Sequence, residues 1–152
     1  MGEDEYGAFK NAKRLLLIEA GSPGQFVFTC ILTHYGKHDV EAVSSAAEAL
    51  ERLKRSVDFD AVITSMHLPG INGVELAKEI KRLYPGLPVI LTGWSLIGVE
   101  NGVAKDYGAS GAWDGTLADL VLLQPILHKD LLDGVVKVTS NRGPVGATGG
   151  LP

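Results

Sequence analysis

Five short, apolar-rich runs set the strongest constraint on this chain. They cover residues 15–18, 40–43, 61–63, 88–91 and 120–123. A strand with one wet face alternates apolar and polar residues, whereas a continuous run suits a strand buried on both faces. Between the runs lie stretches with apolar residues at helical spacing. Strand–helix alternation of this kind predicts a parallel sheet covered on both sides, a doubly wound α/β domain with right-handed crossovers.

Turn and capping signals divide the chain into five strand–helix pairs. Ser22-Pro23-Gly24-Gln25 predicts an N-cap serine, a proline at the first helical position and a capping-box glutamine. Phe26, Val27, Cys30 and Ile31 then fall on the apolar face of that helix, and Tyr35-Gly36 ends it. Ser45 and Glu48 open a second helix with Ala46, Leu50 and Leu53 inside. Asn72 and Glu75 cap a third, with Leu76, Ile80 and Leu83 inside and Lys78 and Arg82 outside, and Pro85-Gly86 stops it. A weaker helix is expected over 99–107. Leu131, Leu132, Val135 and Val136 mark the last. Residues 1–12 and 139–152 read as a polar leading tail and a Gly/Pro-rich trailing tail, leaving 13–138 as one domain.

Composition narrows the function classes. The 152 residues are 45% apolar, enough for one core, and the net charge of −4 gives no electrostatic footprint for nucleic acid or an anionic membrane. A single Cys excludes an internal disulfide framework and a Cys-based zinc site. No basic-then-apolar leader or long apolar run is present, so the expectation is a cytoplasmic chain with no signal peptide or membrane span. No G-x-S-x-G elbow, Walker A loop or G-x-G-x-x-G after a strand occurs, and no enzyme activity is expected. His34, His38 and His128 lack ligand-like spacing. In a doubly wound fold the chemistry sits beyond the carboxyl ends of the strands. That directs attention to Glu19-Ala20, Thr64-Ser65, Thr92-Gly93 and Gln124-Pro125.

Those strand ends carry a resemblance. RLLLIEAGSP, FDAVITSMHLPGINGVELAKEIK, LPVILTG and ADLVLLQPI together resemble the receiver domain of bacterial response regulators, over roughly residues 13–138. SMHLPGINGVEL is the most specific part. The resemblance implies a flavodoxin-like, five-stranded parallel sheet of order 2-1-3-4-5. It also implies a site that takes a phosphoryl group from a phosphohistidine onto an Asp at the end of the third strand.

This sequence departs from that site. Ser65 stands at the acceptor position. Glu19-Ala20 stands at the acidic pair, with one of two acids gone. Gln124, followed by Pro125, stands at the lysine position, Thr92 keeps the switch position, and Val121 replaces the switch aromatic. A second reading, with Gly115-Thr116 in place of Lys-Pro, also removes the lysine. A Ser hydroxyl needs a base to become nucleophilic, and Mg²⁺ wants carboxylate anchors. Counting ionised groups, the formal charge of the site falls from about −2 to about −1. The expectation is a degenerate pseudo-receiver with no cofactor. Mg²⁺ binding should be weak or absent, and Glu19 is only a weak candidate ligand.

The resemblance further implies partners in two-component phosphorelay signalling, such as a histidine kinase or an output domain. It implies a homodimer through the fourth helix, fifth strand and fifth helix as well. Two alternatives stay open. One is a phosphorylation-responsive receiver using an atypical acceptor, Ser65 or Asp114. The other is a small-ligand binder on the same fold. Trp94 and Trp113 flank the altered stretch as candidate recognition aromatics.

Overall fold

The computed structural model describes residues 12–93, 97–100, 103–106 and 118–140, with 97–100 and 103–106 described through their backbone pairing. Five strands form one sheet: β1 (Arg14–Ile18), β2 (Asp39–Val43), β3 (Ala61–Ser65), β4 (Val89–Gly93) and β7 (Leu120–Leu123). Their order is β2-β1-β3-β4-β7 and every pair is parallel. The parallel sheet is the one the strand–helix alternation predicts, and its order is the one the resemblance implies.

The runs in the three inner strands, β1, β3 and β4, are buried on both faces, whereas the edge strands β2 and β7 are only partly covered. On one face Leu16, Ile18, Val62 and Leu91 pack with α2 (Ala46–Arg55) and α3 (Gly73–Leu83) through Leu53, Leu76 and Ile80. On the other face Leu15, Leu17, Ile63 and Ile90 meet α1 (Ser22–Cys30) and α4 (His128–Thr139) through Phe28, Leu131 and Val135. Each fully buried side chain of this size contributes about 1.5–3 kcal/mol. Among the described residues, no helix is long and apolar enough to cross a membrane.

Several local expectations are corrected. The α1 N-cap is Gly21, not Ser22, and no side chain caps it. Gln25 makes no capping box; its Nε2 donates to the carbonyls of Glu19 (2.9 Å) and Val43 (3.2 Å). The buried face of α1 is also turned. Phe28, Ile31 and Leu32 are inside, whereas Phe26 is 70% and Val27 47% exposed, and Cys30 is half-buried. This segment is apolar nearly all round, so periodicity alone does not choose the face. The helix then continues as a π-helical turn (Ile31–Tyr35) closed at Gly36. Leu83, at the last position of α3, is exposed, and Val74 and Ala77 fill the core instead.

The largest correction falls on residues 99–107. The described part of this stretch is an antiparallel hairpin, β5 (Ile97–Glu100) with β6 (Val103–Asp106), not a helix. Glu100 pairs with Val103, so only Asn101 and Gly102 separate the strands in sequence. Asn-Gly between β-branched residues is the strongest short-range hairpin signal, and it outweighs the weak helical spacing. The expected dimer face therefore has no helix over these described residues. Trp94, Trp113, Asp114, Gly115-Thr116 and residues 1–11 and 141–152 lie outside the described residues, whereas Thr139, expected to open the trailing tail, ends α4 and is buried.

Candidate functional site

The carboxyl ends of β1, β3, β4 and β7 converge at one edge of the sheet. Ser65 ends β3 in register with Thr92 of β4, and both are buried, at 7% and 1% exposure. Met66 N–H donates to the Thr92 carbonyl at 2.6 Å, tying the β3 exit to its neighbour. Gln124 follows β7, and its N–H donates to the Gly93 carbonyl at 2.7 Å. This places Gln124, rather than a residue before β7, directly beyond the fifth strand of the sheet. The Gln124–Pro125 peptide is cis.

The loop after β3 is held tightly. Gly70 has φ of +81°, a backbone that favours glycine. The α3 cap forms as expected. Asn72 Oδ1 accepts from Glu75 N–H (2.9 Å) and Glu75 Oε1 accepts from Asn72 N–H (3.3 Å). At Gly73 the helix starts against the β3 exit so closely that a Cβ there would overlap the Ser65 carbonyl. A glycine at this position is thus required by close approach to the Ser65 and Met66 backbone.

The Ser65 hydroxyl is used locally. Its Oγ accepts from the His67 backbone N–H at 3.1 Å and donates to the His67 carbonyl at 3.4 Å. These bonds involve the His67 main chain, not its imidazole, and among the described residues no side-chain base is hydrogen-bonded to the Ser65 hydroxyl. The His67 residue itself is exposed.

Glu19 is the one carboxylate at the expected acidic pair; Ala20 beside it is exposed. Glu19 is half-buried and leans over the start of α1. A Cβ at Gly24 would meet its Cδ and Oε2 at 3.3 Å, and one at Gly21 would lie 3.6 Å from Oε2. Burial pushes its carboxyl above the ordinary range, opposed by a hydrogen bond from the Gly21 backbone N–H and by attraction to His67. Among the described residues no three His, Cys, Asp or Glu side chains gather as a metal site. The posture of Glu19, and the roles of Gly24 and Gln25 around it, are not visible in the spacing of the sequence.

A five-stranded parallel sheet of this order, with a capped loop after its third strand and its polar residues at the strand ends, defines a receiver-type domain. Comparison with known proteins agrees. The model of the response regulator receiver domain family matches residues 16–112, and the chain belongs to that family, a module of two-component signalling. The match ends before β7. The chain is 40% identical over 77 residues to the sensor protein TorS of Escherichia coli, covering 51% of this chain and 8% of that protein. It is 30% identical over 132 residues to the autoinducer 2 sensor kinase/phosphatase LuxQ of Vibrio cholerae, covering 84% of this chain and 14% of that protein. The chain thus spans a small part of these two relatives. Among solved structures, a receiver domain protein from Clostridium thermocellum superposes with a TM-score of 0.69 at 24% identity, covering 84% of this chain and 94% of that one. That likeness concerns the fold.

Proposed function

We propose that this chain is a pseudo-receiver: a receiver domain that no longer takes part in the usual phosphotransfer and acts through protein–protein contacts. The observation that carries the reading is the state of Ser65. The residue at the acceptor position is a hydroxyl, bonded on both sides to the His67 main chain and, among the described residues, to no side-chain base. A carboxylate at this place is ionised and nucleophilic at neutral pH, whereas this hydroxyl is neither.

The neighbours support it. Glu19 is the remaining acid, and Gln124 offers hydrogen bonds but no positive charge to a phosphoryl group. Mg²⁺ binding is accordingly weak or absent, and the domain is not an enzyme. Its partners are two-component proteins, a histidine kinase or an output domain, in the same chain or another. The similarity to a sensor protein and a sensor kinase/phosphatase, both many times longer, favours a role as one module of a larger signalling assembly.

The test is incubation with a small acyl phosphate and Mg²⁺, followed by intact-mass measurement. No mass change is expected. Gain of one phosphate, lost in Ser65→Ala, would overturn the proposal in favour of an atypical acceptor.

A further inference from the structure

The carboxyl edge of the sheet gathers acceptors without a matching donor. On the α1 side of the sheet Leu17, Ile63 and Ile90 are buried in one cluster, with Leu122 packed against it. Alternation along a strand returns to the same face two residues on. Those residues are Glu19, Ser65, Thr92 and Gln124, at the ends of β1, β3, β4 and β7. Register sets them at one level. Ser65 and Thr92 are partners, Ile18 pairs with Thr64 just below Glu19, and the Gln124 N–H bonds to Gly93, next after Thr92.

The Ser65 hydroxyl is taken up by the His67 main chain. The other three groups are open to a donor. Thr92 is 1% exposed, and its hydroxyl has no hydrogen-bond partner among the described residues. A buried hydroxyl calls for one. The half-buried Gln124 carboxamide also lacks a partner among the described residues. No side-chain donor is hydrogen-bonded to the Glu19 carboxylate among the described residues, and the basic group that attracts it is His67, exposed in the loop after β3. The α1 wall beside it is bare. A Cβ at Gly24 would lie 3.3 Å from Glu19 Oε2, and Gly21 faces the same atom.

We infer that this cleft receives the side-chain ammonium of a lysine on a partner protein, with Glu19 as its counter-charge and Thr92 and Gln124 as neutral acceptors. The inference rests on the pseudo-receiver reading and names the chemistry of its contact. Charge and geometry choose the occupant. The four strand ends carry one carboxylate and no cation. An ammonium brings three donors to three acceptors, whereas a guanidinium is a planar fork suited to a bidentate carboxylate. One carboxylate with a hydroxyl and an amide is a poor shell for Mg²⁺.

The test titrates isotope-labelled full chain with Nα-acetyl-lysine N-methylamide at constant ionic strength. The Gly21 and Thr92 backbone amides and the Gln124 carboxamide should shift saturably at millimolar concentrations. The norleucine analogue, which keeps the alkyl chain without the charge, should leave them in place. Glu19→Gln removes the counter-charge and Gln124→Lys supplies a competing ammonium from the chain itself, so each should weaken binding by about tenfold or more. No response to the lysine derivative, an equal response to norleucine, or unchanged affinity in both variants would overturn the inference and leave the pseudo-receiver reading standing. Ammonium chloride should act more weakly than the lysine derivative. An equal response would assign the cleft to a free cation and overturn the partner lysine. A saturable response to millimolar MgCl₂ would overturn both readings, since Glu19 would then serve a divalent cation.

Discussion

Ser65 and His67 are joined twice through the turn after β3, with the serine hydroxyl accepting from the His67 N–H at 3.1 Å and donating to the His67 carbonyl at 3.4 Å. A hydroxyl bonded this way is part of the turn. It shapes the loop that leads from the end of β3 to α3.

Removing that hydroxyl should therefore weaken the fold and change no chemistry. Ser65→Ala leaves the His67 N–H without its side-chain acceptor in a part-buried turn. A loss of about 1 kcal/mol is expected, the net worth of one such hydrogen bond. Urea denaturation checks the size. A variant as stable as the wild type would show that the turn does not depend on the hydroxyl.

Gly73 should be far less tolerant than the exposed Gly86. A Cβ at Gly73 would overlap the Ser65 carbonyl and lie 2.7 Å from the Met66 Cα, both of them backbone, whereas nothing lies within 4 Å of a Cβ at Gly86. Gly73→Ala must push α3 away from the β3 exit, so a loss of at least about 2 kcal/mol is expected, and Gly86→Ala should stay within about 0.5 kcal/mol. Paired urea midpoints decide the matter. Equal midpoints would mean that the α3 start does not press on the end of β3.

A pH dependence is built into the other end of the sheet. Burial lowers the His38 pKa from 6.5 to about 4, helped by the nearby Lys13 charge and opposed by Asp60. Its Nδ1 accepts from the Lys13 backbone N–H at 2.9 Å, so a proton at Nδ1 would set two donors against each other. The folded state thus holds His38 neutral while the unfolded chain protonates it near 6.5. The resulting stability is fully present above pH 6.5 and is lost as pH falls toward about 4. The loss amounts to about 3 kcal/mol at most. Denaturation midpoints across this range should slope in the wild type and flatten in His38→Gln. A wild-type profile no steeper than that of the variant would rule out His38 as the source.

The parts of this molecule that were legible in its sequence are those set by local chemistry or by continuous burial. The run at 61–63 forms the expected third strand, and Asn72 with Glu75 forms the predicted cap. The face of α1 was not legible, because Phe26, Val27, Phe28 and Ile31 are all apolar and only docking on the sheet separates buried from exposed. The helix expected over 99–107 gives way to a hairpin because Asn101-Gly102, between Glu100 and Val103, suits a two-residue connection and outweighs a few apolar residues at helical spacing. At the site, residue types were readable: a hydroxyl at 65, one acid at 19 and an amide at 124. Their engagement was not, since the Ser65 bonds and the Glu19 posture depend on turn geometry and on glycines at 21, 24 and 73 that carry no chemistry of their own.

The most demanding prediction is that phosphoryl acceptance can be returned to the pocket. Ala20 is exposed beside Glu19, Ser65 closes β3, and Gln124 stands directly beyond β7. The variant combining Ala20→Asp, Ser65→Asp and Gln124→Lys restores two acids and one cation on a sheet that already has the right strand order. Counting ionised groups, the formal charge returns to about −2, which again favours a divalent cation. The new carboxylate at 65 is ionised at neutral pH and needs no base. Incubated with a small acyl phosphate, this variant should gain one phosphate that depends on Mg²⁺, while Ser65→Asp alone should gain none, since it lacks the cation at 124 and the second acid at 20. Intact mass with and without a chelator reads both outcomes. Phosphate uptake by Ser65→Asp alone would show that Glu19 and Gln124 still suffice for the chemistry, and that the loss at position 65 is the only one that matters.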